Sequence, residues 1–550
     1  MVTQQNRRIN LRAGLDGWSL GALAIAAVVL APMLAVLWIA LTPTQNIWPH
    51  LMASVLPRYL GNTVLLMAGV GVLTAAVGTG AAWLVVMFRF PGSRWLDYAL
   101  LFPMAIPAYI GAYALVDFLD YSGPVQGALR AAMGWTRPQD YGFPEVRSAG
   151  FAVIVLSAAL YPYVYLLARA AFREQSGCCY EVARALGAGP VALFARVGLP
   201  LARPAIATGV ALALMETVAD YGTVQHFGIQ TLTTGVFTTW LDGGNPGGAA
   251  QIAGVILMLI LTLIAVERFS RHNARFHRLS RAARPVDPAR LTGVFGWAAT
   301  AACLIPFGAG FVLPVVVMGW HALRRPEVWL SPGLGQAVAN TMLVAAVAAA
   351  VTVGAALFLV YAVRLAGRGV ARLVLPVTSL GYAAPGAVLA VGILIPLAAL
   401  DHQLADLVLA VSGRDPGLLL TGTVAALVLA YVVRFFGIAQ GAVDAAFGRI
   451  SPSLPMAARS LGRSARGALG AVYLPLMRGS VTTALLVVFV DCVKELPATL
   501  LLRPFNFNTL STRLFELVSL ERLGDAAPAA LLVSATGLAA VALLARSNRA

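Results

Sequence analysis

An all-α integral membrane protein of about twelve transmembrane helices, made of two fused six-helix halves repeated in parallel, is predicted by three observations. First, 59% of the 550 residues are hydrophobic, only 11% are charged and the mean hydropathy is +0.81. That composition is far too apolar for a soluble chain of this length. Second, apolar runs long enough to cross a hydrocarbon core, which takes about 20 helical residues, recur along the chain. Third, Glu181-Val-Ala-Arg-Ala-Leu-Gly187, twelve residues and Pro200 return as Ala457-Ala-Arg-Ser-Leu-Gly462, twelve residues and Pro475.

The runs fall at 17–41, 63–87, 97–118, 149–170, 204–223 and 249–266, then at 293–319, 340–363, 373–398, 417–438, 479–496 and 527–545. Arg7 and Arg8 ahead of the first run resemble the start of a signal peptide. The run is too long for one, and no small-residue cleavage site follows, so it reads as a retained span. Asn62-Thr63 opens the second run as Asn340-Thr341 opens the eighth, and Pro107 matches Pro385 at the same spacing of 278. Pro103, Pro107 and Pro385 predict a kink in the third helix of each half. The loop at 119–148, with Trp135, Arg137, Pro138 and Tyr141, is longer than its counterpart at 399–416, and beyond it the repeat spacing is 275. Repetition in one direction with an even number of spans per half relates the halves by an axis along the membrane normal.

Residues 1–290 form the first half, with its signature loop at 178–203, and residues 291–550 the second, with its loop at 453–478. Between them a stretch at 268–291, carrying Arg268, Arg271, His272, His277, Pro285 and Pro288, reads as a cytoplasmic tether. With the N-terminus inside, most arginines, among them Arg7, Arg8, Arg12, Arg89, Arg94, Arg364, Arg368, Arg372, Arg546 and Arg549, lie in or beside cytoplasmic segments. Both termini and both signature loops are then cytoplasmic. The net charge of +16 is accounted for by this topology and by contact with anionic membrane lipid; a nucleic-acid partner has no support.

Lys494 is the single lysine, so no glycine-rich phosphate loop ending in Lys-Ser/Thr can exist, and any ATP chemistry belongs to another subunit. Cys178, Cys179, Cys303 and Cys492 have neither zinc spacing nor a disulfide framework, and read as small apolar fillers. Tyr161, Tyr163 and Tyr165 read as packing aromatics. His226 and His402 are isolated histidines. No clustered catalytic set is present, and no metal site is assigned.

Ionisable groups inside spans are expensive in lipid and are functional candidates by default. Glu216 and Asp220 lie four apart, as on one helical face, and Asp491 and Glu495 are the same pair displaced by 275. Two equivalent helices would offer four carboxylates to a shared axis, a set suited to a hard cation. The alternative is structural pairing, with Lys494 or Arg503 neutralising these acids.

The twin loops resemble the EAA motif of binding-protein-dependent ABC importer permeases. The fused halves, with Glu216 to Val224, Gly228 to Thr234 and Asp491 to Leu510, resemble the ferric-iron permease family over the whole chain. The resemblance implies a bacterial inner-membrane permease subunit that is not itself an enzyme and binds no cofactor. It implies two copies of a separate ATPase, which use ATP, and a periplasmic substrate-binding protein. It also implies that Glu181, Ala183, Arg184, Gly187 and Pro200, and Ala458, Arg459, Gly462 and Pro475, form ATPase-coupling loops. There the glycines would let two helices meet closely and the prolines would open the return helices. Met456, after Pro455, replaces the acid that Glu181 supplies, so the two interfaces would be unequal in strength. The cargo implied is ferric iron; thiamine, a polyamine or another small cation are the alternatives in this class. A proton-coupled secondary transporter would share twelve-helix pseudosymmetry but needs no twin EAA loops.

Overall fold

The computed structural model describes residues 17–43, 46–272, 287–366, 371–379, 381, 384–451 and 453–547. Arg7, Arg8, Arg12, His277, Pro285, Arg368, Arg549 and the middle of the tether lie outside the described residues. The chain is all-α as expected. Among the described residues the only strands are Phe88–Arg89 and Ala289–Arg290, which pair in parallel. Among the described residues eleven helices are long and apolar enough to cross a membrane, and a bent pair, Ser93–Ala105 with Ala108–Met133, brings the count to as many as twelve.

The third span of the first half is broken rather than kinked: its two parts meet at 95°. Pro107 has no N–H to donate and forces the preceding residue out of the helical region. Ile106 is accordingly extended (φ −104°, ψ 121°), and Pro107 becomes the N-cap of helix Ala108–Leu119. Pro385 does the same for helix Gly386–Ser412, which continues through most of what the sequence presents as a loop. Asp401, fully buried on that helix, holds the following loop against it by accepting from the N–H groups of Leu419, Leu420 and Thr421.

Other prolines are absorbed without a break. Four π-turns, Leu51–Val55, Phe194–Gly198, Gly308–Val312 and Leu469–Tyr473, each end two residues before a proline: Pro57, Pro200, Pro314 and Pro475. A proline ring collides with the carbonyl four residues back. The N–H just before each proline bonds five residues back, which widens the turn and lets one long span run through.

Packing divides the chain into two compact units that differ from the sequence halves. One joins the first span to residues 336–509; the other joins residues 44–335 to those from 510 onward. In the first unit Gly392 packs directly on the backbone of Pro32, where a Cβ would overlap the carbonyl, and Trp18 stacks on Phe358 at 5.1 Å. In the second unit Gly537 packs on the backbone of Ala105 in the same manner. Small residues that let backbones touch are how helices associate in lipid, where no hydrophobic force drives them together.

The second unit also contains a buried ionic lock. Asp97, on helix Ser93–Ala99, takes Arg169 in two contacts of 2.5 and 2.6 Å and Arg173 at 2.7 Å, and its backbone carbonyl accepts from the Tyr165 hydroxyl at 2.9 Å. Asp97 and Arg169 are each 7% exposed. The helix that carries Tyr165, Arg169 and Arg173, Ala149–Glu174, runs directly into the first signature loop. By the repeat spacing Leu375 replaces Asp97 and Gln440 replaces Tyr165. Gln440 donates to the Leu375 carbonyl at 2.7 Å and accepts from Thr378 at 2.6 Å. One helix junction is thus fastened by charge in one repeat and by a neutral amide in the other.

Removing one partner of a buried ion pair costs about 3–5 kcal/mol, whereas a neutral hydrogen bond is worth about 1 kcal/mol. Asp97→Ala is therefore expected to lower the thermal midpoint of the purified protein far more than Gln440→Ala. Equal shifts in a thermal unfolding series would count against the lock.

Candidate functional site

Both signature loops fold as the same device. Helix Gly177–Ala185 ends at Leu186, and Gly187 takes φ +83°; helix Ser453–Ser460 ends at Leu461, and Gly462 takes φ +80°. In the first loop the Gly187 N–H bonds to the Arg184 carbonyl and the Ala188 N–H to the Ala183 carbonyl. In the second, Gly462 bonds to Arg459 and Arg463 to Ala458. These are the two bonds of a Schellman C-cap, which requires a left-handed residue just past the helix. The repeated Ala-Arg-x-Leu-Gly pattern is thus the sequence of a helix stop. Nothing lies within 4 Å of where a Cβ on either glycine would be, so the glycine is needed for its backbone angle and not for close helix contact.

Pro200 and Pro475 stand in the first turn of helices Leu199–Ala219 and Leu474–Lys494, as expected. Each helix follows directly on a π-turn, so the apolar spans as a whole begin earlier, at Pro190 and Ala465. The displayed surface is apolar at matching places: Leu186 and Leu461 are each 83% exposed, with Val182, Val191, Leu454 and Met456 also exposed. Glu181, Arg184 and Arg459 are exposed as well.

Each loop is seated on an aromatic cluster that sequence reading missed. Trp83 packs against Phe172, Phe194 and Tyr180 at 5.3, 5.1 and 6.0 Å in one unit; Tyr361 packs against Phe447 and Tyr473 at 6.0 and 5.6 Å in the other. Trp83 corresponds to Tyr361 and Phe172 to Phe447 in the repeat. Gly198 leaves room for the larger indole, where a Cβ would overlap it, and its counterpart Tyr473 fills the space beside the smaller phenol. Burial pushes the Tyr180 phenol up, so it stays protonated and donates to Gln175. The aromatic spacing in the sequence was the available signal.

The acidic pairs are not two acids on one helical face. Helix Leu199–Ala219 ends before Asp220, and helix Leu474–Lys494 ends before Glu495. Both acids turn the chain into the next short helix. Asp220 accepts from the Thr223 and Val224 N–H groups at 2.9 and 3.2 Å and from the Thr223 hydroxyl at 2.9 Å. Glu495 accepts from Ala498 and Thr499 N–H at 3.0 and 2.9 Å and from the Thr499 hydroxyl at 2.7 Å. A cap of this kind satisfies the orphan donors of a helix start. Glu216 and Asp491, one turn earlier, are half-buried.

Ion pairing bears out Lys494 as a partner of these acids and adds Arg434. Lys494 pairs with Asp491 at 3.1 Å, Glu495 with Arg434 at 3.5 Å, and Arg503 hydrogen-bonds Asn508. Arg434, a full span away in the chain, could not be assigned from spacing.

Of the other candidates, Tyr161 and Tyr165 are fully buried. His402 bonds its own helix at Ala398. His226 lies edge-on to Tyr113 at 4.7 Å, and burial, with Arg147 adding to it, pushes its pKa down to about 4. It borders a cavity of about 410 Å³ within the second unit, together with Asp117, Asp120, Arg147 and Glu521. Cys178 and Cys179 are exposed, Cys303 and Cys492 buried.

Residues 71–275 match the family described as binding-protein-dependent transport system inner membrane component. An Fe(3+)-transport system permease protein of Haemophilus influenzae is 25% identical over 487 residues, 86% of this chain and 87% of that one. A probable sulfate transport system permease protein of Nephroselmis olivacea is 28% identical over 37% of this chain and 71% of its own length. The molybdenum transport system permease of Escherichia coli is 29% identical over 35% and 85%.

The caps separate structure from charge. Asp220→Asn keeps an acceptor oxygen at the helix start and should leave thermal stability nearly unchanged. Asp220→Ala should cost about 1 kcal/mol. Glu495→Ala also strands Arg434, 13% exposed at its side chain, and should cost several kcal/mol. A stable Glu495→Ala protein would remove the capping assignment.

Proposed function

We propose that this ABC importer permease, a multi-pass protein of the inner-membrane type, carries ferric iron. Its two repeats, 1–290 and 291–550, would together form the translocation path. The cargo assignment rests on the extent of one likeness. A match over 86% of the chain must run through both repeats, whereas the sulfate and molybdenum permeases match little more than a third of it. Carboxylates suit a hard cation, and Glu216, Asp220, Asp491 and Glu495 are the candidates for the path. Asp220 and Glu495 would hold the chain at the turn while Glu216 and Asp491, less committed to the backbone, meet the cargo.

In this reading the termini and both signature loops are cytoplasmic, and two copies of an ATPase dock on helices Gly177–Ala185 and Ser453–Ser460. The ATPase uses the ATP, and this chain binds no cofactor. A periplasmic binding protein delivers iron from the other side. Closure of the ATPase pair draws on both helices, and the Schellman turns and aromatic seats pass that movement to the spans. The exposed apolar residues on each loop fit an apolar groove rimmed with charge, and Glu181, absent from the second loop, would make the first interface the stronger.

The deciding measurement is ATP-dependent uptake of radiolabelled ferric iron by proteoliposomes containing the assembled complex. Iron transport unaffected by excess thiamine, polyamine, sulfate or molybdate is the expected result. Competition by any of these, or no iron uptake, would overturn the cargo.

Coupling has its own test. A non-glycine residue in the left-handed region costs about 1–2 kcal/mol, and asparagine is the residue that best tolerates it. Gly187→Val and Gly462→Val are expected to lose copurifying ATPase and transport, while the Asn variants retain both. If Val and Asn variants behave alike, the turn is not what couples.

A further inference from the structure

The loop after Glu495 contains three residues that its counterpart after Asp220 lacks. The two caps are 275 apart. Farther on, Asn62 donates to the Gln230 carbonyl at 2.8 Å and Asn340 to the Asn508 carbonyl at 3.0 Å, and these anchors are 278 apart. The left-handed residues place the difference: Gly228 has φ +68° and Asn506 has φ +58°, also 278 apart. The inserted residues are therefore Arg503-Pro504-Phe505. The insertion is held at both ends. The Arg503 N–H bonds to the Thr499 carbonyl at 3.0 Å and the Phe507 N–H to the Pro504 carbonyl at 3.2 Å, and the Arg503 and Asn508 side chains bond each other. From this braced turn Phe505 stands completely free, at 102% exposure.

A large apolar ring left in full exposure on a braced turn does nothing for its own fold. Span Ala465–Lys494 separates this loop from the Gly462 turn, so Phe505 lies at the opposite membrane face from the coupling helix. Phenylalanine lacks the polar edge that draws tryptophan and tyrosine to the lipid interface. Aromatic side chains on a held backbone are frequent anchors of protein interfaces, because they bring a large apolar area with few torsions to immobilise. We propose that Phe505 is an anchor by which the extracytoplasmic binding protein docks on the second repeat, a role that the shorter loop of the first repeat cannot supply. This inference rests on the reading that a binding protein delivers the cargo.

The test uses the purified permease–ATPase complex in lipid nanodiscs and the purified binding protein that stimulates its ATP hydrolysis. Phe505→Ser should weaken binding at least tenfold with ATPase copurification and thermal midpoint unchanged, and Phe505→Tyr should restore it to within a few-fold. In a Phe505→Cys variant, an impermeant bimane label should react in sealed cells, where Cys178 and Cys179 do not. Its emission should be that of water until the binding protein is added. Binding by Phe505→Ser within twofold of wild type would overturn the anchor, as would label emission already apolar in nanodiscs alone, which would make the ring a lipid contact. A wild-type complex that no binding protein stimulates would instead bring down the delivery reading itself.

Discussion

In a hydrocarbon core no water is available to satisfy a backbone N–H or C=O, so every interruption of a helix must supply its own partners. This one constraint organises the features that matter here. Where Pro107 and Pro385 stand at a helix start, the proline is the N-cap residue and its carbonyl takes an N–H of the first turn. Ahead of Pro57, Pro200, Pro314 and Pro475 a π-turn reroutes one bond. Where the chain turns after Ala219 and Lys494, a carboxylate takes up the free N–H groups. The returning strand of each loop is tied down by an asparagine from a neighbouring span. Asp220, Glu495 and Asp401 are thereby employed in keeping backbone N–H groups satisfied.

Much of this was legible in the sequence, because apolar length and repeat spacing are strong one-dimensional signals. Span existence, the repeat and the location of the two loops follow from them. Contacts between residues distant in the chain do not. Nothing in the spacing around Glu495 points to Arg434, and nothing near the first span points to Gly392. Pro103, Pro107 and Pro385 were read as kinks because sequence does not say whether the neighbouring turn will widen or stop. Glu216 and Asp220 look like one helical face only if the helix continues, and it ends between them. The Ala-Arg-x-Leu-Gly signature was visible, but its meaning as a helix stop needed the positive φ of Gly187 and Gly462.

The two repeats keep geometry more faithfully than chemistry. A tyrosine and an aspartate at one helix junction become a glutamine and a leucine at the other, with the bond to the same backbone carbonyl kept. Trp83 with Gly198 becomes Tyr361 with Tyr473, and the aromatic seat survives because the summed volume is shared differently. Gly228 becomes Asn506, another residue that accepts a left-handed backbone. Differences in length, by contrast, fall in the loops at 119–148 and 503–505 and leave both signature loops at one spacing. The two Gly187 and Gly462 turns therefore keep one geometry while other loops differ in length.

The grouping of the first span with residues 336–509 has a consequence in time. Helix Gly17–Leu41 leaves the ribosome long before Gly392, whose missing side chain makes its seat, has been made. At a synthesis rate of about 5–20 residues per second the wait is on the order of 20–70 s. Throughout it the helix must stand in lipid with its packing face open. Separating the gene at the tether into two polypeptides would make that wait indefinite, since the seat would then have to arrive by diffusion in the membrane. Fusion of the repeats thus does more than fix their stoichiometry: it guarantees that the partner of the earliest helix is always on its way.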